Sequence, residues 1–89
     1  MNVHIIRVDG SEEHVIARFG QIDRLIHADG LDTVNLRDGR VMVVDDLGHP
    51  NGKPVNRKAT ALYHGICRPG TTHQIVGDVA IVVDAEVDR

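Results

Sequence analysis

The sequence is poor in aromatic residues and in cysteine, and each shortage argues against a class of protein. The 89 residues include one Phe, one Tyr and no Trp, which argues against proteins that stack single-stranded bases on aromatic side chains. The single cysteine, Cys67, cannot form an internal disulfide, which argues against a small secreted domain stabilised by disulfides. No apolar run approaches the roughly 20 residues of a membrane-spanning helix, and the opening segment MNVHIIRVDG has no signal-peptide pattern. We therefore expect a cytoplasmic protein.

Acidic residues are absent between residues 47 and 77, although the whole chain has a net charge of −3. The cations of that segment are Lys53, Arg57, Lys58 and Arg68. The remainder of the chain holds all 13 acids and the other six bases, a net charge of −7. Because DNA phosphates would repel this acidic remainder, the charge distribution argues against direct nucleic-acid binding.

The hydrophobic pattern predicts a single α+β domain over residues 1–89. The core is aliphatic, with 13 Val and 8 Ile against 5 Leu, a bias typical of β-sheet. Alternating and helical periodicities give the element order ββαββαβ, a mostly antiparallel sheet with two helices packed on one face. The predicted strands cover residues 3–8, 13–19, 31–37, 40–44 and 75–84, and the predicted helices cover residues 21–30 and 56–66. The uninterrupted run VAIVV near the C-terminus predicts a central strand buried on both faces.

Local signals refine two of these elements. Asp38-Gly39 between two strand-like runs predicts a hairpin with a two-residue turn. Asn56 is a good N-cap for the second helix, and Gly30 is placed to end the first. The apolar face of the second helix is predicted to contain Ala59, Leu62, Tyr63 and Ile66.

The motif Asn56-Arg57-x-Ala59-Thr60 is followed by Gly77-Asp78-Val79. Together with the predicted element order, these residues resemble the pattern PxNRxAT…GDV of a small uncharacterised domain family. That family is a domain of unknown function found in phage, plasmid and actinobacterial proteins. The resemblance covers nearly the whole chain. It implies a phage or mobile-element setting, and it supplies no catalytic residues.

A candidate anion site lies at the start of the second helix. Lys53, Arg57 and Lys58 cluster near the positive end of the helix dipole, where acids are usual, and a phosphate or carboxylate would relieve their repulsion. We therefore predict a ligand-binding set of Lys53, Asn56, Arg57, Lys58 and Gly52. The segment is not a phosphate-binding P-loop, because Lys53 is followed by Pro54. The alternative is that these cations are solvated or pair with acids elsewhere on the chain.

Other chemistry-bearing residues give weaker patterns. His64, Cys67 and His73, with His49 as a fourth, are suitable zinc ligands, but their spacing matches no strong zinc pattern, so no metal is predicted. Cys67 beside His64 or His73 lacks a neighbouring acid that would orient the histidine for nucleophilic catalysis. Asp45 and Asp46 are interpreted as solvated turn residues.

These observations predict a non-enzymatic binding protein without a cofactor. Its basic corner would hold an anionic partner, either a nucleotide-like small molecule or an acidic surface of a host protein, in an anti-defence or regulatory role. The alternative is a structural, oligomer-forming module whose sheet edge pairs with a second copy, since a sheet this small buries limited area. A small hydrolase that uses Cys67 or a His-bound metal is the third hypothesis.

Overall fold

The computed structural model describes residues 1–66 and 72–86, in which five strands form one antiparallel sheet of order β2-β1-β5-β4-β3. The strands are β1 (Asn2–Ile6), β2 (Glu12–Ile16), β3 (Leu31–Asn35), β4 (Arg40–Asp45) and β5 (Val79–Val83). The helices are α1 (Ile22–Leu25) and α2 (Arg57–Ile66), with single 3₁₀ turns at Phe19–Gln21 and Asp84–Glu86. The predicted α+β class and the order ββαββαβ are confirmed. No helix in the described part of the chain is long and apolar enough to cross a membrane.

The last strand, β5, lies at the centre of the sheet between two hairpins. β1 pairs with β2 and β3 pairs with β4, all antiparallel. β5 is antiparallel to both β1 and β4, so that Ile81 lies opposite His4 on one side and Met42 on the other. Residues 79–82 are buried, which confirms the predicted central position of the VAIVV run.

The helices pack on opposite faces of the sheet, and the prediction that they share one face is wrong. Consecutive strand residues point to opposite faces, and in β4 and β5 both sets are aliphatic, so each face needs its own cover. The α2 face is formed by Ile6, Leu36, Met42, Ala59, Ile75, Val79 and Ile81. The α1 face is formed by Val3, Ile5, Ile22, Ile26, Val43, Ala80 and Val82.

Two turns differ from their predictions in detail. The first helix is one turn long and ends before Gly30, because His27 adopts φ 55° and the Ala28 N–H donates to Asp23 O at 2.8 Å. This bond is the helix-ending pattern in which glycine is usual at the left-handed position. The hairpin between β3 and β4 is closed by a hydrogen bond from Leu36 N–H to Arg40 O at 2.9 Å, so its loop has one residue more than the predicted Asp-Gly turn.

Candidate functional site

Lys53, the first cation of the predicted corner, is paired with a buried acid of the same chain. Its Nζ lies 2.7 Å from Asp45 Oδ2 and donates a hydrogen bond to His27 O. The Asp45 side chain is fully buried, and its Oδ1 accepts hydrogen bonds from Leu47 N–H at 2.9 Å and Gly30 N–H at 3.3 Å. Asp45 is therefore not the solvated turn residue that its sequence context predicts.

The charge state of Asp45 follows from two opposing effects. Burial disfavours its carboxylate, but the Lys53 ammonium and the two backbone N–H donors outweigh burial and hold the pKa of Asp45 below its usual 3.8. Lys53, in the loop between β4 and α2, thus neutralises the buried carboxylate at the end of β4. An external anion is not needed to balance its charge.

Lys58, the third cation of the corner, reaches the β1–β2 hairpin. Its Nζ contacts Glu12 Oε2 at 2.9 Å and donates to Gly10 O. The other Glu12 oxygen lies 2.7 Å from His4 Nε2. Lys58, and after it His4, lower the pKa of the Glu12 carboxyl. The anion that balances the charge of Lys58 is therefore Glu12 of β2, a residue of the same chain.

Asn56 is completely buried, and its side-chain amide is used within the fold. Its Oδ1 accepts from Ala59 N–H at 3.1 Å, which confirms the predicted N-cap of α2. Its Nδ2 donates to Ile6 O at 2.9 Å and to Gly77 O at 3.0 Å. Asn56 therefore joins α2 to the end of β1 and to the segment that enters β5, and it presents no polar group to solvent.

The other two residues of the predicted set are exposed. Gly52 occupies a turn with φ 71°. Arg57 lies in the first turn of α2 and forms no ion pair or side-chain hydrogen bond with residues 1–66 or 72–86. Of the three clustered cations, Arg57 is the one without a carboxylate partner in this described part.

Two of the three histidines considered as metal ligands contact backbone carbonyls through their rings. His64 Nε2 lies 2.6 Å from His73 O, and His49 Nε2 lies 3.0 Å from Gln74 O. Cys67 and Arg68 fall outside the described residues. Among the residues that are described, no group of three or more His, Cys, Asp or Glu side chains is placed to hold a metal ion.

The outer edge of β2 is open, although no sequence motif marks it. Ala17 exchanges hydrogen bonds with Met1 in both directions, each at 3.0 Å, and Arg7 N–H donates to Ser11 O at 2.9 Å. Antiparallel pairs alternate between bonded and non-bonded positions, so the backbone groups of the odd-numbered residues of β2 point toward β1.

The even-numbered residues of β2, Glu12, His14 and Ile16, therefore direct their backbone N–H and C=O groups away from the sheet. These outward groups have no partner within residues 1–66 and 72–86. Such a row is a ready template for an additional strand.

A cleft of about 300 Å³ runs beside this edge, between β2 and α1. Val15, Ala17 and Leu25 contribute apolar surface to it and pack against the α1-face core. Arg24 supplies a cation at its wall. On the opposite face of β2, the Ile16 side chain is 85% exposed. The full lining is Val15, Ile16, Ala17, Gln21, Arg24 and Leu25.

The opposite edge of the sheet, β3, is protected by its own side chains. Asp46 N–H donates to Gly30 O, so by the same alternation Leu31, Thr33 and Asn35 face outward. The outward N–H of Thr33 is taken by the Asp32 carboxylate at 2.8 Å. This N–H is already bonded and is therefore not available to an added strand. The two edges thus differ, because the outward backbone groups of Glu12, His14 and Ile16 on β2 have no partner among the described residues.

The sequence alone does not mark the β2 edge. Val15 and Ile16 are consecutive aliphatic residues that point to opposite faces of the strand, but the same is true of Ile5 and Ile6 of β1, which are both buried, whereas Ile16 is 85% exposed.

Comparison with known proteins adds no relative, because no family model, no curated protein and no solved structure matches the chain. The resemblance to the uncharacterised domain family, and the phage or mobile-element setting that it implies, stay predictions.

Proposed function

We propose that this protein is a non-enzymatic binding module that accepts an extended segment of a partner protein along β2. The observation that carries the proposal is the row of unpaired outward backbone groups on Glu12, His14 and Ile16 beside an apolar cleft. Strand addition of this kind draws its affinity from main-chain hydrogen bonds and its specificity from alternate side chains that enter a pocket.

The chemistry of the cleft defines the segment that fits. Residues of an added strand that lie opposite Val15 point to the same face as Val15 and enter the cleft, where Leu25 favours an aliphatic side chain. Arg24 forms no ion pair with another described residue, so it favours an acidic side chain at a neighbouring cleft-facing position. The partner segment is therefore extended, with aliphatic and acidic residues alternating on its cleft side.

A fluorescent peptide tests this proposal directly. The probe is a synthetic extended peptide with valine and glutamate at cleft-facing positions and threonine elsewhere, measured by fluorescence anisotropy. Ile16→Pro removes an outward N–H and leaves the bonds of Val15 and Ala17 to β1 intact, so we expect it to abolish binding. Thr33→Pro makes the matched change on the β3 edge and should bind like the wild type. Equal binding by both variants, or no binding by the wild type, would contradict the proposal.

Anion binding at the basic corner is a second candidate, and Arg57 is the observation that favours it. Arg57 is exposed and lacks a described partner in the first turn of α2. Asn56 caps the N–H of Ala59 there, and the N–H groups before it have no acceptor within the helix. If it binds phosphate or a nucleotide, the melting temperature should rise with ligand concentration, and Arg57→Ala should remove the rise. An unchanged melting temperature across a panel of nucleotides would refute this candidate.

A further inference from the structure

We infer that the strand accepted by β2 is the β2 strand of a second copy of this chain, paired antiparallel about a two-fold axis at Val15. This inference rests on the proposed function and names its partner. Two copies joined in this way would form one continuous sheet, which is the isologous contact expected of a dimer.

The positions of the outward backbone groups restrict the register of such a pair. Bonded pairs must join residues whose N–H and C=O point outward, namely Glu12, His14 and Ile16. With the axis at Val15, His14 of each copy pairs with Ile16 of the other and exchanges both backbone hydrogen bonds. The two Val15 side chains then meet at the non-bonded position, where side chains approach most closely.

Charge complementarity supports the same register. Glu12 of one copy, which pairs with Lys58 and His4 of its own chain, comes opposite Arg18 of the other, and Arg18 has no ion-pair partner among the described residues. Glu13, whose Oε2 lies 2.7 Å from Arg7 Nη2 of its own chain, comes opposite Ala17 on the cleft side, where Arg24 lines the wall. The β2 strand thus offers an aliphatic residue and an acid at neighbouring cleft-facing positions, which is the pattern that the cleft favours.

Two alternative two-fold registers, centred on His14 and on Glu13, are less favourable for the same side chains. An axis at His14 would place Glu13 opposite Val15 and Glu12 opposite Ile16, so that each acid meets an aliphatic residue. An axis at Glu13 would place two carboxylates directly opposite one another, which is destabilising. The register centred on Val15 separates the carboxylates and leaves one acid, Glu13, opposite a small aliphatic residue, Ala17.

Disulfide trapping tests the inference. In a Cys67→Ser background, which removes the chain's single native thiol, Val15→Cys would place two thiols at a non-bonded pair. Its Cα separation of about 4.5 Å lies within disulfide range. We expect Val15→Cys to form at least about tenfold more cross-linked dimer under mild oxidation than Glu13→Cys, whose thiols would be offset along the strands. Thr33→Cys, on the protected β3 edge, is the second control.

The outcomes separate this inference from the proposed function. A monomeric wild type at millimolar concentration, with no excess cross-linking at Val15, would overturn the second-copy inference. If the extended peptide still bound in an Ile16-dependent manner, the proposed function would stand without it. Cross-linking of Glu13→Cys rather than Val15→Cys would overturn the register. If the wild type neither dimerised nor bound the extended peptide, both proposals would be overturned.

Discussion

Asn56→Asp separates the two roles that the buried Asn56 amide performs. Asp is as good an N-cap as Asn, so the substitution keeps the acceptor for Ala59 N–H. It removes the two hydrogen bonds that Nδ2 donates to Ile6 O and Gly77 O. It also sets a carboxylate oxygen against those two carbonyl oxygens in a fully buried position.

The expected loss of stability is large for a domain of this size. An uncompensated buried charge costs about 3–5 kcal/mol, whereas a domain of this length has a total stability of roughly 4–13 kcal/mol. Asn56→Ala loses the cap, about 1 kcal/mol, and the two hydrogen bonds to Ile6 O and Gly77 O, at about 1 kcal/mol each. The carboxyl that Asn56→Asp introduces would also have a raised pKa, because its surroundings oppose the charge. The loss in free energy of unfolding caused by Asn56→Asp should therefore become smaller as pH falls, because the protonated carboxyl can donate a hydrogen bond to one of the two carbonyls.

Urea unfolding at neutral pH and at about pH 5 measures both effects, with the midpoint expected to shift at a constant slope. Arg57→Ala is the matched control, since this adjacent exposed residue should change stability by less than about 0.5 kcal/mol. If Asn56→Asp were as stable as the wild type, Asn56 would be a cap alone. The role of the amide in joining α2 to β1 and to the segment that enters β5 would then be refuted.

Further substitutions test the ion pairs and the approach to β5. Lys53→Met should destabilise the protein by about 3 kcal/mol, because it leaves the buried Asp45 carboxylate without its ion-pair partner. Adding Asp45→Asn should restore much of the lost stability, measured by thermal melts. Because the pKa of Asp45 is lowered on folding, its contribution is complete above pH 3.8 and should disappear as pH falls below that value; a flat acid titration of stability would contradict this. Lys58→Ala breaks an exposed pair with Glu12 and should cost less than about 1 kcal/mol. Gly77→Ala should be destabilising by calorimetry, since Gly77 has φ 76° and a Cβ there would lie 3.0 Å from Lys53 Cδ.

Local sequence signals predict the strands and α2 well because they act over a few residues. The Asn56 N-cap and the VAIVV run each specify their element through a backbone preference or a burial pattern. The same run also contradicts the prediction of helices on one face. A strand that is aliphatic on both sides needs cover on both, and here α1 and α2 supply it from opposite sides.

The basic corner shows what sequence proximity cannot predict. Lys53 and Lys58 are near each other in the chain, but Asp45 and Glu12, which pair with them, come from different strands. Charge runs describe composition, whereas ion pairs depend on which distant segments the sheet topology brings together. An edge is likewise a property of the strand order, which places β2 outermost only because β5 inserts between the two hairpins.

Amide hydrogen exchange at His14 and Ile16 tests the central claim most directly. In an isolated chain these outward N–H groups have no described partner and should exchange as fast as unstructured amides. If β2 accepts the strand of a second copy, their protection should rise with protein concentration while that of Thr33 does not. Unprotected exchange at His14 and Ile16 at millimolar concentration, with or without the extended peptide, would contradict the assignment of the β2 edge as a binding surface.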